Sequence, residues 1–83
     1  MPKQYLFHAD AGHGWLKVPK ADMLPSKISR ISRFSYQDES HFYLEEDCDA
    51  ALAPQDHETI FKNDGDYSPV RNLPRVNPKT YQK

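Results

Sequence analysis

The stretch Arg33–Ala50, RFSYQDESHFYLEEDCDA, decides how this chain is read. Two apolar runs, Ile31–Tyr36 and His41–Leu44, flank the polar residues Gln37–Ser40. Both runs are rich in aromatic side chains, which favour a pleated, half-buried surface. Phe34 and Tyr36 lie two apart, as do Phe42 and Leu44, so each pair lines one face of its strand. A three-residue loop at Asp38–Ser40 pairs Tyr36 with Phe42 and Phe34 with Leu44, which gathers all four on one face. A two- or four-residue loop splits the set between faces. The pattern therefore predicts a hairpin with an odd loop.

Directly after it, Asp47 has the chemistry of an N-cap, followed by the helix formers Ala50–Ala53 and stopped by Pro54. Carboxylates at such a start meet the positive end of the helix dipole. The run Glu45–Asp49 thus reads either as a capped helix start on a solvated face or as an acidic binding patch.

Upstream, Gln4–Ala9 and Trp15–Val18 read as two strands joined across Asp10–Gly14, where two glycines can take positive φ. Trp15, the only tryptophan, is the expected core anchor. Pro19–Leu24 suits a short helical turn, and Leu24 and Ile28 are spaced to cover the sheet. Downstream, Asp56–Lys62 is expected to make one helical turn carrying Ile60 and Phe61 inward, and Asn63–Asp66 a turn. From Tyr67 onward Pro69, Pro74 and Pro78 recur among polar and basic residues, with Tyr67, Val70, Leu73 and Tyr81 as anchors for an arm. The expected architecture is a small α+β domain over residues 1–61. It holds an antiparallel sheet of two hairpins, about four strands, with one or two short helices. A Pro-rich, basic tail, extended or disordered, covers residues 62–83.

Eighty-three residues suit one domain with a small core. Cys48 is the only cysteine, so no intrachain disulfide forms. No apolar run is long enough to span a membrane and no secretory leader is visible; a cytoplasmic protein is expected. The net charge of −1 conceals blocks. Residues 1–36 carry six basic and two acidic side chains, residues 37–66 ten acidic side chains against Lys62, and residues 67–83 four basic ones. A basic–acidic–basic order points to an electrostatic partner or to docking of the tail on the middle.

Three constellations bear on chemistry. His8, Asp10 and His13 are metal-ligand types within one turn, but their spacing matches no metal motif, and a backbone-bonded turn accounts for them. Glu45, Glu46, Asp47 and Asp49 with Asp38 and Glu39 form an acidic set suited to a protein partner. Such a surface can occupy a groove built for phosphates. The Cys48 thiolate is disfavoured by the same carboxylates, and a small buried side chain is expected there. Lys17, Lys20, Lys27, Arg30 and Arg33, interleaved with Trp15 and Phe34, give an alternative nucleic-acid-binding reading. No Gly-rich phosphate loop, HExxH or nucleophile elbow is present, and no cofactor or enzymatic activity is expected.

The blocks Phe7–Pro19 (FHADAGHGWLKVP), Ile31–Tyr36 (ISRFSY) and Tyr43–Ala50 (YLEEDCDA) resemble small uncharacterised proteins carried by phages, plasmids and their bacterial hosts. The resemblance covers about residues 5–50 and implies a genomic setting without an activity. Beyond Ala50, Pro54 and the Pro-rich tail depart from it. Together with the charge blocks, it leads to the expectation of a non-enzymatic mobile-element accessory protein. Such a protein binds a protein partner through an acidic surface and inhibits a host defence or nucleic-acid-binding system.

Overall fold

A computed structural model of the chain describes residues 3–65 and 69–76. Five strands form one mixed sheet: β1 (Lys3–Asp10), β2 (Gly14–Pro19), β3 (Tyr36–Gln37), β4 (His41–Glu45) and β5 (His57–Gly65), in the order β3-β4-β2-β1-β5. One short helix, α1 (Pro25–Ile28), and 3₁₀ turns at Lys20–Asp22, Ala50–Leu52 and Pro69–Asn72 complete it.

The first hairpin forms as its sequence pattern predicts. β1 and β2 are antiparallel, with Leu6 opposite Lys17 and His8 opposite Trp15. Its turn rests on Asp10, whose Oδ1 accepts from the Gly12 and His13 amides. Neither Gly12 nor Gly14 adopts the left-handed region expected of them. Gly14 is needed for a different reason: the Phe7 ring lies where a Cβ would stand, 2.3 Å from that position.

The sheet is covered on both faces. On one, Tyr5, Leu16, Val18, Phe42 and Leu44 form the main core with Met23, Ile31, Ala53 and Val76. The chain between β2 and β3 lies over this face, with Pro25 starting α1 where its missing N–H costs nothing. Ile28 packs on the core, whereas Leu24 points to solvent. On the other face Trp15, Tyr36, Tyr43 and Val70 form a second cluster, backed by Leu73. β4 is buried on both sides, so its sequence shows a continuous apolar run rather than alternation.

That double burial corrects the central hairpin. β3 is only Tyr36–Gln37, with Tyr36 opposite Tyr43 and Gln37 opposite Phe42. The loop is even, not odd: the Asp38 amide bonds to the His41 carbonyl across Glu39-Ser40. Asp38 decides this register. Its Oδ1 takes the Ser40 and His41 amides and its Oδ2 takes the Tyr43 hydroxyl at 2.7 Å. With Phe42 and Tyr43 each having a core to enter, there was no need to gather the aromatics on one face. Phe34 lies outside the strand and is 54% exposed.

No α-helix starts at Asp47. Residues after β4 make a tight turn and the 3₁₀ turn Ala50–Leu52. Glu45 and Asp49 face inward and serve as acceptors, which removes the exposed first turn a helix cap needs. Cys48, expected to be buried, is exposed.

The segment expected as a helical turn, with a turn after it, is instead β5, parallel to β1 from Lys3–His57 to Asp10–Gly65. Thr59, Ile60 and Phe61 favour a strand, and β1 had one edge open. The link from β4 to β5 crosses the main core face, where Ala50, Leu52 and Ala53 pack. Such a crossover is what parallel pairing requires. Among the described residues the strand count is therefore five rather than four. The boundary expected after residue 61 falls inside β5.

The described part of the tail is also packed. Val70 and Val76 are each 1% exposed. The Gln37 amide bonds to the Pro74 carbonyl and the Val76 amide to the Ser35 carbonyl, which covers the outer edge of β3. Pro74 tolerates this place because it only accepts there. The expectations for Tyr67, Pro78 and Tyr81 lie outside the described residues.

Candidate functional site

Where the second aromatic cluster reaches the surface, the chain forms a cavity of about 290 Å³. Trp15, Tyr36 and Phe34 supply its aromatic wall; His13, Arg71, Arg75, Glu45, Asp47 and Cys48 complete the lining. The wall follows from the register. Trp15, the second residue of β2, lies on the face that carries Tyr43, and Tyr36 meets it edge-on, with ring centroids 5.7 Å apart.

The two arginines come from the tail and are held by specific partners. Arg71 stacks over the Trp15 ring at 5.1 Å. Its Nε donates to Asp10 Oδ2 at 2.6 Å. Arg75 stacks over Tyr36 at 4.9 Å and donates to the Arg33 carbonyl. Sequence reasoning missed both arginines because the tail was expected to be loose. The available signal was their spacing of four around Leu73, which brings two cations to one aromatic pair.

Glu45, also in the lining, is buried. Its Oε2 accepts from the Asp47 and Cys48 amides and its Oε1 lies 3.9 Å from His13 Nδ1. Asp47 and Cys48 are thereby fixed as a rim. Hydrogen bonding to Glu45, then burial and the surrounding carboxylates, push the Cys48 thiol up, away from the thiolate. Trp15 is 2% exposed, and its indole N–H has no acceptor among the described residues.

The six carboxylates expected as one binding surface do not lie together. Asp38 and Glu39 sit in the β3–β4 turn, while Glu45 ends β4 and Glu46, Asp47 and Asp49 follow it. A strand of five residues separates the two groups by about 13 Å. Asp38 is spent on its own turn, and Asp49 is 2% exposed beneath the surface. Ser32 N, Ser32 Oγ and Ser35 Oγ all donate to the Asp49 carboxylate. Glu39, Glu46 and Asp47 remain exposed, and of these three Asp47 lines the cavity.

The basic set is dispersed. Lys17 lies over the Tyr43 ring on the second face, whereas Lys27 and Arg30 belong to the connection that covers the first. Lys20 donates to Gln37 Oε1, and Arg33 is exposed. His8, Asp10 and His13 do not converge: His8 packs near Tyr43, Asp10 pairs with Arg71, and His13 stacks on Trp15. Among the described residues, the ligand-type atoms that gather within 4.8 Å belong to Glu45, Glu46 and Asp47.

Several carboxyls titrate low. The Arg71 hydrogen bond holds Asp10 well below the usual carboxylate range. Burial pushes Asp38 up, but hydrogen bonds from Tyr43, Ser40 and His41 outweigh it and bring its pKa down to about 2. The Lys3 hydrogen bond lowers Asp22. A depressed folded pKa adds stability above the unfolded value of about 3.9, and that stability is lost as pH falls toward the folded value. Thermal melts should therefore hold steady from pH 7 to about 5 and drop steeply below about 4. Asp38→Asn should flatten part of that drop; a variant with the wild-type acid slope would remove Asp38 from the account.

Comparison with protein-family models, with curated proteins and with solved structures gives no match for this chain.

Proposed function

We propose that this chain is a non-enzymatic binding module that holds a protein partner at the aromatic cavity and its acidic rim. The carrying observation is the make-up of that cavity. Trp15 and Tyr36 give a rigid aromatic wall, and Phe34 projects beside it at 54% exposure. Arg71 is engaged by Asp10 and Arg75 by the Arg33 carbonyl, whereas the Asp47 carboxylate at the rim, with Glu46 next to it, faces water. An apolar side chain from a partner fits the wall, and a neighbouring basic side chain meets the rim. Interfaces draw most of their energy from such aromatic anchors.

The resemblance to proteins carried by mobile elements supports an accessory role directed at a host protein. The acidic surface is narrower than the sequence suggests, so blocking a nucleic-acid groove would rest on Glu46 and Asp47, with Glu39 as a separate charge. No observation favours the nucleic-acid alternative, because its five basic residues are spread over both sides of the sheet.

Phe34→Ala and Asp47→Lys test the reading. Both sites are exposed, so stability should move by no more than about 0.5 kcal/mol. A partner captured from host lysate and identified by mass spectrometry should bind each variant about tenfold more weakly. A partner that binds both as tightly as wild type would reject the cavity as the site.

A further inference from the structure

We propose that β5 pairs with β5 of a second copy, antiparallel, in the register that sets Ile60 opposite itself. Pro74–Val76 covers the β3 edge, and β5 ends the sheet on the other side; no described strand pairs with its outer edge. It is nine residues long and displays Ile60 at 40% and Phe61 at 76% exposure. A long edge with exposed apolar side chains is a template for another strand.

The occupant follows from symmetry and charge. A two-fold axis through the edge runs perpendicular to the sheet and keeps each face on its own side. Directly opposed residues must share a face, so only registers in which one residue meets its own copy are allowed. With Ile60 on the axis, Glu58 faces the other copy's Lys62, and the symmetry makes that pair twice. On the opposite face, Thr59 meets Phe61 of the other copy, again twice. Moving the axis to Phe61 sets Ile60 against Lys62, and moving it to Thr59 sets Glu58 against Ile60. Both lose the charge pairs. The Glu58-Thr59-Ile60-Phe61-Lys62 segment is thus complementary to itself in one register.

The full chain should sediment as a dimer, twice 9.7 kDa, at about 100 µM. Glu58→Lys and Lys62→Glu each convert two attractive pairs into two repulsive ones and should weaken self-association about tenfold. Mixing the two variants restores both pairs, so the mixture should dimerise as well as wild type. Both side chains are exposed, and circular dichroism should confirm that each variant folds. A wild-type monomer at that concentration would overturn the pairing, including one that takes up a foreign extended peptide instead. So would a dimer indifferent to both substitutions.

Discussion

Asp49→Ala should destabilise the protein by about 3–4 kcal/mol, out of a total of roughly 4–12 kcal/mol for a chain of this size. Ser32 N, Ser32 Oγ and Ser35 Oγ all direct their hydrogens at this one carboxylate, and Ser35 is fully buried. Removing it strands those donors where water has little access, and hydrogen bonds to a charged acceptor are the stronger kind. The damage extends further, because Ser35 Oγ also accepts the Glu45 amide at 2.9 Å. The network thus ties the end of β4 to the loop that carries Phe34, one wall of the cavity. Urea unfolding should show a midpoint lower by about 2 M. Asp49→Asn keeps the shape and one acceptor oxygen, and about half the loss should return. A midpoint unchanged in Asp49→Ala would mean that the network contributes nothing to stability.

Phe42→Ala should cost about 3–5 kcal/mol. Phe42 has no exposed surface and lies opposite Val18, another fully buried side chain, in the middle of the main core. Truncation loses the transfer energy of the ring and leaves a cavity that a five-stranded sheet cannot close without shifting β2 against β4. Thermal unfolding should begin near room temperature in this variant. Phe34→Ala is the matched comparison, since the same atoms are removed from a site that is half open to water. A Phe42→Ala variant as stable as Phe34→Ala would contradict the placement of the core.

Much of this architecture was legible from local patterns. The β1–β2 hairpin was readable because apolar runs, turn residues and Pro19 all act within a few positions of one another. The helical start at Pro25 was not foreseen, though the Pro-first rule applies to it directly. The β3–β4 hairpin was recognisable as a hairpin, but its register was not. The alternation argument assumes one wet face, and β4 has none. The acidic run misled for a related reason: Glu45 and Asp49 look like surface charges until Cys48 N, Ser32 and Ser35 are seen to need acceptors. Of the expected carboxylate surface, Glu45 and Asp47 line the cavity, and the arginines that line it with them come from a tail whose composition signalled looseness.

By itself the sequence determined a small sheet-rich domain, its first hairpin, the burial of Trp15 and the block distribution of charge. These depend on residues close in the chain or on totals. Tertiary structure alone decided that residues 57–65 pair with β1, that Val70 and Val76 are buried, and that Trp15 and Tyr36 meet Arg71 and Arg75. Each of those contacts joins residues far apart in sequence, and its free energy comes from surface that becomes buried only once the sheet has formed.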